Sequence, residues 1–238
     1  MDENIKKNDT SLKKGLISWA IKGVLYKAYI AVVLMLAAGQ WDWIAGWIYV
    51  GIFLAFDAAS AIVVIPRNPE LLIERITRNK DVAAWDKIIM PVAAGLLPLF
   101  SWIIAGLDLR YGWEPEVRLS LQAAGFVLTV IGYAIVVWAM GANAFFSATV
   151  RIQEERGHSV ATGGPYRWIR HPGYVGAILF SGAFPFLLES WWALIPSLGS
   201  MILYVIRTAL EDNTLHEELP GYADYAQQVK FKLIPGVW

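Results

Sequence analysis

The stretch GPYRWIRHPGYVG, residues 164–176, gathers two arginines, a histidine, two prolines and two tyrosines between apolar runs. Pro165 and Pro172 stop a helix from running through it, and Gly163 and Gly164 permit tight turns with exposed backbone. A shaped loop of this kind can read the polar ends of a small molecule with backbone N–H groups and the His171 imidazole. Tyr166, Trp168 and Tyr174 would wall the flat part of that molecule. A plainer use stands beside this one, in which Arg167 and Arg170 hold lipid headgroups and His171 caps a helix. Further along, Arg207 and Glu211 stand at i and i+4 and share one helix face; Asp212 and His216 repeat that spacing, and Glu217 and Glu218 extend an acidic run. An arginine and a glutamate behind a Gly/Pro/His loop make a pocket of mixed charge. Such a pocket suits a zwitterionic or cationic molecule beside an anionic one.

The elements that must position these residues are membrane helices. Of 238 residues, 57% are hydrophobic and 17% charged, and twelve are tryptophan, a composition outside the soluble range. Net charge is zero, which gives no support to nucleic acid as a partner. Without cysteine, disulfides, thiol nucleophiles and thiolate metal sites are excluded. His158, His171 and His216 show no metal-ligand spacing, so no metal is expected.

Apolar runs approaching the ~20 residues needed to cross a bilayer fall at about 24–40, 43–65, 87–106, 119–141, 173–189 and 192–210. The expected fold is an all-α integral membrane protein with five to six transmembrane helices, a cytoplasmic loop at 142–172 and a helical C-terminal segment. Residues 1–14 read as a disordered cytoplasmic N-terminus, 15–141 as N-terminal membrane helices and 142–238 as a core carrying the polar motifs. Lysines and arginines concentrate at the N-terminus, in 66–87 (Arg67, Arg75, Arg78, Lys80, Lys87), in 142–172 and at the C-terminus; the other side receives Arg110 and Arg118. By the positive-inside rule both termini and the 142–172 loop face the cytoplasm, across an inner or plasma membrane. The 66–87 loop reads as an interfacial amphipathic anchor, in preference to a site, with Leu71, Leu72 and Ile76 turned to lipid or protein and its arginines toward headgroups. Asp57, inside the second run, either borders a ligand path or is bonded to a neighbouring helix. Gly125, Gly132 and Gly141 can pack helices within one chain or between chains, which leaves oligomeric state open.

The motif G-P-Y-x-x-x-R-H-P-x-Y-x-G is followed by R-x-x-x-E-D-x-x-L, then G-Y-x-x-Y and a closing aromatic-basic-x-x-P-G segment. In that order these elements resemble the isoprenylcysteine carboxyl methyltransferase family, integral membrane enzymes related to phospholipid methyltransferases. The resemblance covers about residues 143–238, and RNPELLIER and WDK are similar to upstream features of bacterial members. It implies S-adenosyl-L-methionine as cofactor, lined by His158, Ser159, Val160, Ala161, Tyr166, His171, Pro172, Gly173 and Tyr174, with Glu211 on its polar end. It further implies that Arg207 binds a substrate carboxylate. Asp212 stands where a second glutamate is common, Lys232 where arginine is frequent, and Arg151 where eukaryotic members have glutamine; these departures leave the acceptor open.

An ionised carboxylate acceptor needs alignment rather than a base, and Arg207 would hold it bidentately. An amine or thiol must first lose a proton, for which Glu211, Asp212 and His171 are the candidates. The expected partners are a lipophilic or lipid-like acceptor and membrane lipids. Two other classes remain: a sterol-reductase-like enzyme using NADPH, which would carry H-P-N-Y at 171–174, and a non-catalytic membrane scaffold.

Overall fold

The computed structural model describes residues 2–77, 81–113 and 115–238, and of residues 2–9 the backbone alone. Arg78 and Lys80 therefore lie outside the described residues. The described residues are helical, without strands: α1 (Asp2–Ala38), α2 (Ile44–Val64), α3 (Glu70–Glu74), α4 (Asp86–Tyr111), α5 (Leu119–Ala142), α6 (Pro172–Leu187), α7 (Leu194–Glu218) and α8 (Tyr222–Gln228). Five of these are long and apolar enough to cross a membrane: α1 from Thr10, α2, α4, α5 and α7. The protein is a multi-pass membrane protein.

Helix α6 is the short apolar one. Its sixteen residues reach only about 24 Å at 1.5 Å per residue, less than the ~30 Å hydrocarbon core. Pro172 at its first turn and Pro185 inside its last bound it. Helix α4 is interrupted by a π-turn over Val92–Leu96 directly after Pro91, where the ordinary hydrogen-bond ladder lacks a donor. At the N-terminus the structure differs from expectation. Residues 10–14, read as disordered, continue α1, because a helix already nucleated by its membrane span extends cheaply through lysines and leucine.

The six long or apolar helices pack as a ring, each against two neighbours, in the order α1, α2, α5, α6, α7, α4 and back to α1. The closest pair is α5 with α6. A Cβ on Gly132 would stand 2.8 Å from the Gly176 carbonyl oxygen, and one on Gly125 2.7 Å from the Leu187 nitrogen. These glycines therefore let two backbones of one chain touch, while Gly141 faces Val63 of α2. Apolar side chains of α1, α2, α4, α5 and α6, among them Leu34, Tyr49, Trp102, Tyr133 and Phe184, form the main core.

Asp57 is paired with Lys27 of α1 across the helix interface. That pair neutralises an intramembrane carboxylate whose isolated burial would cost several kcal/mol, roughly. The bonded sequence reading of Asp57 is met by this pair. Asp57 also borders a cavity of about 380 Å³ between α1, α2 and α3.

Candidate functional site

All six helices of the ring contribute to one cavity of about 360 Å³, inside the range of roughly 300–1,000 Å³ that ligand pockets occupy. Its membrane end is aromatic: Tyr26, Tyr49, Phe53, Trp102, Tyr133 and Phe184 line it. Its other end is closed by the 143–172 loop, the start of α6, the end of α7 and α8. Of the residues that the family resemblance assigned to the site, all but Pro172 line this cavity. Pro172 is buried and starts α6 at a position where its missing N–H costs nothing. Trp168 departs more: it is 59% exposed and packs on Trp138 with ring centroids 5.7 Å apart, outside the cavity wall. Tyr166, Tyr174, Tyr222 and Tyr225 supply that wall instead.

The loop owes its shape to local bonds. Gly157 and Gly164 take positive φ angles of 64° and 55°, which a side chain would strain. His158 accepts from the Gln153 backbone N–H at its Nδ1, 3.3 Å away, and lies 4.6 Å from the Phe145 ring. Burial, then the nearby Arg151 and Arg156, push the His158 pKa down to about 4. The imidazole is therefore neutral at pH 7 and adds no positive charge where it meets a ligand. Ser159, Val160 and Ala161 continue the wall past it.

Asp212 holds this loop to the C-terminus. It accepts from Arg170 Nε and Nη2 at 2.7 and 2.9 Å, from Tyr222 Oη at 2.8 Å, and lies 3.0 Å from His171 Nε2 and 3.4 Å from Lys232 Nζ. Burial, then Asp212, raise the Tyr222 hydroxyl well above its ordinary pKa, so it remains a donor. Arg170 also donates to the Val229 and Lys230 carbonyls, and the backbone N–H groups of Arg170 and His171 bond Phe231 and Lys232. The headgroup-binding reading of Arg170 fails for this reason: its donors are spent inside the protein. So does Asp212 as a free base, since several donors already stabilise its ionised form. His216 places its Nδ1 3.8 Å from Asp212 Oδ2, as the i,i+4 spacing predicts, with a closer contact of 2.9 Å to the Asp212 backbone oxygen.

Arg207 and Glu211 both face the cavity, but their roles divide. Arg207 donates from Nε and Nη2 to the two oxygens of Asp86, at 2.6 and 2.9 Å, and from Nη2 to the Ala148 carbonyl at 3.0 Å. Its bidentate edge, expected to bind a substrate carboxylate, is already filled by a carboxylate of the protein. Asp86 is fully buried and accepts also from the Val150 N–H, so it fixes α7, α4 and the loop together. Glu211 is half-buried and accepts from the Tyr174 hydroxyl. The tyrosine orients the carboxylate and leaves acceptor capacity on it for a cationic ligand.

Described residues of the 66–87 segment, read as an anchor, are part of the site. Glu74 accepts from Ser147 Oγ at 2.7 Å and lies 3.4 Å from Arg151 Nε, while Asn68 donates to the Ala144 carbonyl. Arg75 lines the cavity itself. Asp86, Arg75 and Tyr222 are thus residues that sequence reasoning assigned no chemical role, although WDK, GYADY and RNPELLIER contain them. The residues from His158 to Glu211 that the resemblance implied, Pro172 excepted, line one cavity.

Residues 124–217 match the sequence model of the Isoprenylcysteine carboxyl methyltransferase (ICMT) family. Two curated proteins, both named protein-S-isoprenylcysteine O-methyltransferase, are similar to the chain. The one from Rattus norvegicus is 27% identical over 209 residues, covering 83% of this chain and 67% of its own. The one from Mus musculus is 27% identical over 207 residues with the same shares. The matched span runs from α5 into α7, so it includes the loop and both Arg207 and Glu211 while Arg75, Asp86 and Tyr222 lie outside it.

Proposed function

On the premise of this resemblance to the ICMT family, we propose that the chain is a membrane methyltransferase that takes S-adenosyl-L-methionine as donor. Its acceptor is lipophilic, the carboxylate of an isoprenylcysteine-like or other lipid-like acid. The observation that carries this reading is the continuity of one cavity from the His158–Tyr174 loop and Glu211 into the aromatic interior of the helix ring. A polar cofactor and an apolar chain can thereby meet end to end without leaving the protein.

The residues fit such a donor. Glu211 offers a carboxylate to an ammonium or sulfonium, neutral His158 adds no opposing charge, and Tyr166, Tyr174, Tyr222 and Tyr225 offer faces to a flat base or a cation. When bound, the group supplies an electrophilic methyl. The chain's own residues then have two tasks, to align the acceptor oxygen with that methyl and to keep water out. The aromatic ring of helices excludes water. The network of Asp212, Arg170 and His171, with Tyr222, holds the loop geometry on which alignment depends.

The test is calorimetric titration of detergent-purified protein with S-adenosylhomocysteine and, in parallel, NADPH. Saturable binding of the first alone is the expected result. NADPH binding alone would move the chain to the reductases, and binding of neither would leave a scaffold. The loop and both termini are proposed to face the cytoplasm, from the lysine and arginine distribution. Because the chain has no cysteine, Ser159→Cys should react with a membrane-impermeant maleimide in inside-out vesicles and not in right-side-out ones.

A further inference from the structure

Four arginines line the main cavity: Arg75, Arg151, Arg170 and Arg207. Three are matched to carboxylates. Arg170 and Arg207 give their Nε and Nη2 edges to Asp212 and Asp86, and Arg151 reaches Glu155 at 2.8 Å and Glu74 at 3.4 Å. Arg75 is different. Its Nη1 donates to the Phe146 carbonyl at 3.3 Å and its guanidinium lies over the Phe146 ring, 5.3 Å from the centroid. Among the described residues its Nε and Nη2 engage no carboxylate. This is the same edge that binds Asp86 and Asp212 in the other two arginines.

Arg75 stands where the polar and apolar parts of the protein meet. With Tyr26 and Phe56 it lines both the main cavity and the cavity beside Asp57. Of the lysines there, Lys27 is paired with Asp57, and Lys22 is exposed and reaches the Ile76 carbonyl. A guanidinium largely removed from water and stacked on a ring keeps a fixed plane, and an unmatched buried charge is costly until an anion meets it. Burial lowers its pKa, the nearby Glu74 carboxylate opposes that, Arg207 adds to the lowering and Asp57 opposes it, and the group remains charged; among the described residues neither carboxylate occupies its Nε and Nη2 edge.

We propose that Arg75, rather than Arg207, binds the acidic group of the acceptor, through its Nε and Nη2 edge at the junction of the two cavities. The assignment rests on the methyltransferase reading above. It makes a carboxylic acid, rather than an amine, the substrate class, because a cation at the acceptor subsite attracts an anion and repels an ammonium. Arg207 then acts as a positioning residue that holds α7 to Asp86.

The experiment uses the full chain saturated with S-adenosylhomocysteine, titrated with N-acetyl-S-farnesylcysteine and with its neutral carboxamide. Wild type should bind the acid about tenfold or more tightly than the amide, as a charge-assisted bidentate pair implies. Arg75→Gln should bind both alike with unchanged S-adenosylhomocysteine affinity. Undiminished acid preference in Arg75→Gln overturns the assignment. Should glutamine prevent folding, seen as loss of S-adenosylhomocysteine binding, Arg75→Lys decides: reduced acid preference supports the proposal, and full preference overturns it. Wild type that binds S-adenosylhomocysteine without preferring the acid would sink the acid subsite alone. Wild type that does not bind S-adenosylhomocysteine would sink the methyltransferase reading itself.

Discussion

At the loop end of the cavity Asp86 and Asp212 each grip an arginine with both oxygens. At the membrane end Tyr49, Phe53, Tyr133 and Phe184 meet ring against ring, with centroids 4.8–5.3 Å apart where Phe56 joins Tyr133 and Tyr49 meets Phe184. Among the described residues one side-chain hydrogen bond, Trp102 Nε1 to Tyr49 Oη at 3.0 Å, ties that aromatic wall. Directional bonds hold the loop end to one geometry, as a single polar ligand requires. Ring contacts tolerate small shifts, which suits a flexible apolar chain.

If that division is right, the largest effect comes from breaking a matched pair. Asp86→Ala strands Arg207 in a buried site and should cost about 3–5 kcal/mol, read as a large fall in melting temperature in detergent. The apolar double replacement Asp86→Leu with Arg207→Met should recover most of the loss, since removing both charges leaves none unpaired. A double variant as unstable as the single one would show that the pair does more than neutralise itself.

Glu211→Gln comes next. It keeps the shape and the Tyr174 contact but removes the charge, so S-adenosylhomocysteine affinity should fall about tenfold with little change in melting. Equal affinity in variant and wild type would remove Glu211 from the cofactor site. At the membrane end, Trp102→Phe deletes this hydrogen bond of the aromatic wall and should cost about 1 kcal/mol. Its diagnostic effect is on the acceptor: preference should move toward longer chains while cofactor affinity holds. A change in cofactor affinity instead would mean that the two ends are not separable.

The smallest expected effect is a pH slope. The His158 pKa of about 4 lies below the ordinary 6.5, so between these values the unfolded chain binds the extra proton and the folded one does not. Stability from this group is full above pH 6.5 and declines as pH falls toward 4. Melting temperature should therefore drop more steeply over that window in wild type than in His158→Asn. Identical slopes would place the proton elsewhere.

The site half that the loop motif and the family resemblance together implied, His158 to Glu211, lies within 54 positions and depends on short-range signals. Gly and Pro shape the loop, and the i,i+4 spacing puts Arg207 and Glu211 on one face. The residues given no role, Asp86 and Arg75, meet their partners across long separations. Asp86 lies 121 positions from Arg207, and Arg75 lies 71 from Phe146. No local pattern marks such a pairing, so the 66–87 segment read as a charged anchor, and Arg207 read as free for substrate.

What the sequence by itself determined is the membrane class, the approximate helices, the shaped loop and the chemistry of mixed charge. These follow from apolar run length, backbone restriction at Pro and Gly, and helical periodicity. Only the tertiary structure decided which charges are spent and which face the cavity. A side chain's charge is a property of its residue type, but its availability depends on what the folded chain brings within hydrogen-bond reach.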